Sequence, residues 1–521
     1  MMKTWQRRTQ TALLAFSIVT FFGYTVLAQE KKPDEAKAQP PAATETGKPS
    51  PTPQEKSSQT QHTLALNGQT IHYTATAGTL LIRDADNNPN GSMFYVAYTQ
   101  DGIDAKDRPV TFLYNGGPGS SSIWLHMGSF GPVRIETSSP QPTPPAPYQL
   151  VPNQYSLLDK TDLVFVDAMG TGFSRPVEKG KLSDFLGVDQ DAHAFNLFVT
   201  RYLTVNRRWN SPKFLIGESY GTMRSGALAY ALQKSGISLN GVVLISSILN
   251  YNQRAPGLDN VYIGYLPSYA AIAWYHDKLA NKPADLKAFL EQVRAYARGP
   301  YTEALAQGQN LSAAEEDQVA QKLSQMTGLS VEYLKESNLR VPQEHFRKEL
   351  LRTDRRTMGR YDARFEGIDL DAAGDSPAYD AADTAISGAF VAAFNSYLAA
   401  DLNYTASDTY RPTNYGSGWD WKHHPPEGGE EQQTPDVALD LGATMRENPH
   451  MQLFSANGYF DLATPFFCTE FDISHMELDP SLRKNIHFGY YASGHMIYLN
   501  VDALKQLKAD LAQFYTNATA P

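Results

Sequence analysis

The sequence has almost no cysteine: one in 521 residues, Cys468. A lone thiol cannot close an internal disulfide, so a disulfide scaffold and a Cys-rich zinc site are both excluded. A basic stripe is also missing. Lys and Arg number 45 against 55 Asp and Glu, and the formal net charge of −10 argues against nucleic acid as the main partner. No HExxH or comparable ligand spacing occurs. The neighbouring His423 and His424 are side chains of a kind that rarely converges on one ion, so neither a metal nor a cofactor is assigned. From Gln29 to Gln61 there is no Val, Ile, Leu, Met or aromatic residue, and prolines stand at 33, 40, 41, 49, 51 and 53. Such a stretch cannot bury enough apolar surface to offset its ordering entropy, so 29–61 is expected to be a disordered, partly extended spacer.

What is present is an ordinary globular composition, 42% apolar and 19% charged, with room for one large domain carrying an insertion or for two domains. Lys3, Arg7 and Arg8 precede an uncharged, largely apolar run to Ala28, and Val26 and Ala28 fit a signal-peptidase site before Gln29. A cleaved signal peptide over 1–28 is expected, with a retained membrane anchor as the competing reading. No cysteine follows closely enough for a lipid anchor. Either way the bulk of the chain works outside the cytoplasm, periplasmic or extracellular, with no stable membrane insertion after cleavage.

From Leu64 short alternating runs, with turn signals at Asn67-Gly68, Asn90-Gly91 and Asp101-Gly102, predict an antiparallel meander up to about Asp107. Compact apolar runs follow at 110–113, 163–166, 214–216, 242–245, 453–454 and 486–488, several bounded by glycine-rich turns and separated by helix-like segments. That pattern describes an α/β fold, a mostly parallel central sheet with helices on both faces. The rhythm stops between 251 and 448, where helical stretches at 284–297, 313–326 and 384–402 dominate. The expected division is therefore a core in two parts, 62–250 and 449–521, interrupted by a large helical insertion over 251–448 that forms a lid.

The strongest motif is Gly217-Glu218-Ser219-Tyr220-Gly221. Alone, G-x-S-x-G is weak; here a buried strand precedes it and a plausible helix follows, the strand–turn–helix context of a nucleophile elbow. A serine needs a base to take its proton, and this fold class supplies acid and histidine later, in the order Ser, Asp, His. Four histidines follow the insertion. His450 precedes the first resumed strand, at the wrong end of the sheet, His475 lies in a helical or loop stretch, and His487 lies within a strand. His495, in a small-residue loop directly after the last strand, is the candidate. Asp461 stands just past the strand at 453–457, whereas Asp472 and Asp479 are deeper in the next segment. After the strand at 110–113 comes Asn115-Gly116-Gly117-Pro118-Gly119-Ser120-Ser121, where backbone N–H groups can build half of an oxyanion hole, the residue after the nucleophile supplying the rest.

These residues resemble the serine carboxypeptidase family of α/β-hydrolases, in a bacterial-type exported form. The likeness rests on Tyr114 to Ser121, on Val166-Asp167 with Gly170-Thr171-Gly172-Phe173-Ser174, on the serine motif and on Gly494-His495-Met496. It implies Ser219, Asp461 and His495 as a triad, Gly117 and Tyr220 as oxyanion donors, and Asn115, Gly116 and Glu218 as the site for a substrate's terminal carboxylate. Three departures stand out: Ser120 where the family usually has Cys, no possible disulfide, and Ser129 where some members add a second carboxylate-binding acid. The implied activity is release of C-terminal residues from peptides with a free carboxylate, through an acyl-enzyme. The alternatives are an esterase or acyltransferase on the same triad, or a catalytically silent, lid-bearing binding protein. Cys468, after Thr464-Pro465-Phe466-Phe467, reads as a buried, inert thiol.

Overall fold

A computed structural model describes residues 54–415 and 418–520; the expected signal peptide and most of the expected spacer lie outside the described residues. Strands β1 (Ser57–Leu66), β2 (Gln69–Arg83) and β3 (Pro89–Gln100) form the antiparallel meander. Asn67 and Gly68 turn the first hairpin at φ of 51° and 76°, the left-handed pair that a two-residue turn requires. Two expectations are corrected. The spacer ends sooner than Gln61, because Ser57 to Gln61 already pair with Gly78 to Thr74. Polar Ser, Thr and Gln hold that edge register through backbone bonds, which need no apolar burial. Asn90-Gly91 is not a turn either: the chain reverses over 84–88, where Asp84 Oδ1 accepts the N–H groups of Asp86 (3.0 Å) and Asn88 (2.8 Å). Gly91 lies in β3, where a Cβ would stand 2.8 Å from the Ile82 side chain, so its glycine answers to strand packing.

The apolar runs become β4 (Val110–Tyr114), β5 (Asp162–Val166), β6 (Lys213–Ser219), β7 (Gly241–Ser247), β8 (Gln452–Gly458) and β9 (Ile486–Tyr491). With the meander they order as β1-β2-β3-β5-β4-β6-β7-β8-β9, and every neighbour from β5 onward is parallel. From β4 the chain moves to β5 on one side and then to β6 on the other. That reversal opens a crevice at the carboxyl ends of β4 and β6, the switch point where open α/β sheets place ligands.

Period-two alternation sends strand side chains into two cores. On one face Phe214, Ile216, Val243, Ile245 and Phe454 pack beneath α6 (Ser387–Ala400) and α8 (Val501–Ala518). On the other, Leu215, Val242, Leu244 and Leu453 meet α1 (Val188–Val205), α2 (Tyr220–Lys234) and α7 (Ala438–Glu447). A third core joins α3 (Asn260–Tyr275), α4 (Leu286–Tyr296) and α5 (Ala313–Thr327) to Phe460, Leu462, Phe466 and Phe467. The segment 251–448 is therefore not one lid. Its first half builds the separate helical core, while α6 and α7 cover the sheet itself. Val437, Leu441 and Met445 pack onto the α2 side, and Gly226 lets them close, since a Cβ there would lie 2.7 Å from Val437. Strand absence marks an insertion in the sequence, but helical periodicity does not say which layer a helix joins. Among the described residues no helix is long and apolar enough to cross a membrane.

Candidate active site

Ser219 ends β6 and precedes the first residue of α2, at φ 62° and ψ −131°. A non-glycine residue reaches this region only at a cost that the surrounding packing must hold. Gly217 and Gly221 make the turn possible: a Cβ on Gly217 would stand 2.2 Å from the Gly221 carbonyl. Tyr220 opens α2, so its N–H lacks an intrahelical acceptor. The loop after β4 abuts that helix end. A Cβ on Gly116 would sit 2.4 Å from the Tyr220 nitrogen, and Gly117 takes φ 108°.

The histidine and acid arrive on neighbouring loops after β9 and β8. His495 Nδ1 lies 2.8 Å from Asp461 Oδ2, and both residues are buried. Asp461 also accepts the N–H groups of Ala463 (2.7 Å) and Thr464 (3.0 Å) and the Thr464 hydroxyl (2.7 Å). Burial disfavours charge on His495, but the Asp461 carboxylate, with Glu218 adding to it, holds the imidazole above its ordinary value. Backbone contacts seat the loop: His495 N donates to Tyr361 O (2.6 Å), and Gly494 N donates to Asp362 Oδ2 (3.1 Å). Gly494 is required there, because a Cβ would fall 2.4 Å from the Tyr361 carbonyl. Arg364 completes the buttress, pairing with Asp362 and reaching Ser493 Oγ at 3.2 Å.

On the other side, Asn115 Nδ2 donates to Glu218 Oε1 (2.8 Å), and Asn115 Oδ1 accepts from Leu125 N (2.9 Å). Glu218 is buried, and desolvation pushes its carboxyl up to about 7 against the opposing pull of His495. Its second oxygen, Oε2, has no hydrogen-bond partner. One pocket is lined by Asn115, Gly116, Gly117, Glu218, Ser219 and His495 together, with Trp124, Tyr361, Asp383, Tyr415 and Met496 on its walls.

Every candidate on the triad, oxyanion and carboxylate lists except Tyr220 and Asp461 thus lines this pocket; the Tyr220 nitrogen lies beside Gly116, which does, and Asp461 stands behind His495. The rejected residues are occupied elsewhere. Asp472 accepts from Leu249 N (3.2 Å), and His487 lies 3.2 Å from Gln452 Oε1. Ser129 adds no acid, its hydroxyl turning back to the Leu125 carbonyl. The adjacent histidines do converge, but on a carboxylate: His423 Nδ1 and His424 Nδ1 lie 2.6 Å and 2.8 Å from the two oxygens of Asp189. His423 Nε2 faces Asp440 at 2.9 Å.

Three supporting residues escape sequence reasoning. Thr464 ties Asp461 to the Ser246 carbonyl (2.9 Å). Arg224, wholly buried, joins Asp191 (2.7 Å) to the Asn115 carbonyl (2.7 Å) and so fixes the β4 loop against α2. Tyr498 stands beside Glu218. An arginine inside the apolar start of α2 is the one signal the sequence offered for any of them.

A parallel sheet flanked by helices, with a strained serine at a switch point and a histidine–aspartate pair on the last two loops, defines an α/β-hydrolase. The model of the family described as serine carboxypeptidase matches residues 68–365, more than half of the chain. The chain belongs to that family. The match includes the β4 loop and Ser219; Asp461 and His495 lie beyond it. Curated relatives include the pheromone-processing carboxypeptidase kex1 of Aspergillus fumigatus, 26% identical over 220 residues, 40% of this chain and 31% of that one. Another is the serine carboxypeptidase ctsa-3.2 of Caenorhabditis elegans, 28% identical over 203 residues, 37% of this chain and 36% of that one. The matched stretch thus spans about a third of these relatives' length. Among solved structures, the prohormone-processing carboxypeptidase Kex1(delta)p of Saccharomyces cerevisiae aligns with a TM-score of 0.52 at 16% identity, covering 85% of this chain and 91% of that one. That likeness is one of fold.

Proposed function

We propose that this chain is an exported serine carboxypeptidase that releases C-terminal residues from peptides bearing a free carboxylate. The observation that carries the reading is one pocket lined by Ser219, by His495 with Asp461 behind it, and by the Asn115–Glu218 pair. A hydrolase that cuts anywhere has no use for a buried amide and carboxyl held together one residue from its nucleophile. An enzyme that must recognise a chain end does. The basic-then-apolar N-terminal segment supports export.

The chemistry follows from the atoms. His495 keeps its proton on Nδ1, hydrogen-bonded to the Asp461 carboxylate, leaving Nε2 free to take the Ser219 proton as Oγ attacks the scissile carbonyl. The N–H groups of Gly117 and Tyr220 receive the developing oxyanion. The imidazolium returns the proton to the departing amine, and water, activated by the same nitrogen, resolves the acyl-enzyme. Asn115 has a second amide N–H to offer the terminal carboxylate. Glu218 can join it only when neutral, and its desolvated site favours that form.

A fluorophosphonate probe should label Ser219, and an N-blocked dipeptide should yield its free C-terminal amino acid. Labelling without amino acid release would transfer the site to ester or acyl-transfer chemistry. Absence of labelling on folded protein would overturn the triad.

A further inference from the structure

Behind the carboxylate site the side chains of Glu218 and Tyr498 are neighbours, and each buries a polar atom without a hydrogen-bond partner, Glu218 Oε2 and Tyr498 Oη. A buried orphan is costly, and two on neighbouring side chains point to a bond made in one state of the pair. The phenol stands against Glu218 and the Asn115 carboxamide and cannot easily turn away. Its ring packs against Gly128, where a Cβ would stand 2.5 Å from the ring, with Phe390 beside the same glycine. The Ser129 hydroxyl, next to Gly128 in the chain, bonds back to Leu125 instead.

We propose that Tyr498 is a positioning residue for Glu218: its hydroxyl donates to Oε2, so that the proton of the neutral carboxyl resides on Oε1, the oxygen beside Asn115. This rests on the reading of Glu218 as the carboxylate-recognition group. Oε1 already accepts an amide proton from Asn115 and, carrying its own hydrogen, can donate to a second carboxylate. A hydroxyl aimed at Oε2 makes that oxygen the acceptor of the pair. The same donor also favours the ionised form of Glu218, in the sense that Tyr498 pulls its pKa down while burial holds it up. The phenol is itself held protonated far above neutrality by burial. The other charged groups facing Glu218 are His495, which opposes burial, and Asp461, which adds to it, while Asp383 lines the same pocket.

Tyr498→Phe keeps the ring and removes only the donor. KM for a peptide with a free C-terminus, measured against pH, should rise as Glu218 ionises, and in Tyr498→Phe that break should move upward by about one pH unit. Above the wild-type break the variant then binds peptide several-fold better than wild type. A packing defect weakens binding at every pH and leaves the break where it was. In a Glu218→Gln background Tyr498→Phe should move nothing. A break at the same pH in wild type and Tyr498→Phe overturns the inference while leaving the carboxypeptidase reading intact. A wild-type KM without any break removes the role of Glu218 and, with it, that of Tyr498.

Discussion

On one side of Ser219, Asp461 accepts four hydrogen bonds, from two backbone N–H groups, a threonine hydroxyl and the imidazole it orients. On the other, Glu218 accepts one, from Asn115, and its second oxygen is unpartnered. Both carboxyls are buried, at 1% and 3% exposure, so solvent access does not separate them. Their surroundings do. A saturated carboxylate is fixed in direction, which suits a group that must hold a histidine through every turnover. An under-bonded carboxyl in a dry site is left able to exchange its proton, which suits a group that must meet an anion. The two acids flanking Ser219 thus differ, one oriented and one responsive, and hydrogen-bond supply separates them.

The largest effect expected from breaking this arrangement is at the nucleophile. Ser219→Ala should lower kcat by about 10⁶-fold, as in other triads, while thermal unfolding stays close to wild type because a small side chain suits the elbow. Retention of kcat within tenfold would remove Ser219 from the chemistry. Next comes the saturated arm. Asp461→Asn should cost roughly 10⁴-fold in kcat by presenting the wrong partner to Nδ1, with KM for peptides little changed, since the carboxylate site is untouched. A KM effect larger than the kcat effect would mean that the two arms are not separable.

A smaller effect tests packing away from both arms. Cys468 Sγ lies where a Cβ on Gly264 would be, 2.1 Å away, so Gly264 is the counterpart of the lone thiol. Gly264→Ala should destabilise the fold by about 1–3 kcal/mol through overpacking, and Cys468→Ala in the same chain should recover most of it, as coupled neighbours do. Additive losses in denaturant unfolding would contradict the contact. Cys468 is half-buried rather than buried as expected, and desolvation of its thiol pushes the pKa up to about 12, so alkylation near neutral pH should be slow and Cys468→Ala should turn over normally.

The residues proposed as a triad were legible as neighbours because each sits where an apolar strand stops: Ser219 after 214–216, Asp461 after 453–457 and His495 after the strand that ends at Tyr491. Strand ends are marked by composition, and an α/β sheet assigns chemistry to them. The layers of 251–448 were not legible, since α7 shows the same amphipathic stripe whether it covers a lid or the sheet. Supports that depend on tertiary approach left no trace either. Arg224 finds Asp191 33 positions away, and His424 finds Asp189 across 235. Tyr498 lies three residues past His495, yet its neighbour Glu218 comes from β6, and only the folded sheet brings them together. The paired histidines carried the opposite lesson. Adjacent side chains can share one target when that target is a two-oxygen carboxylate, and between Asp189 and Asp440 the buried His423 is pushed up to about 9 despite desolvation.

The central claim, that Glu218 reads a free chain end in its neutral form, is tested most directly by comparing KM against pH for a peptide and for its C-terminal amide. Below about 7 the Glu218 carboxyl holds its proton and can donate to the substrate carboxylate; above it, two anions face each other. KM for the free acid should therefore climb as pH rises through about 7, while KM for the amide stays level, and in Glu218→Gln the climb should disappear. Parallel curves for acid and amide in the wild type would contradict the account.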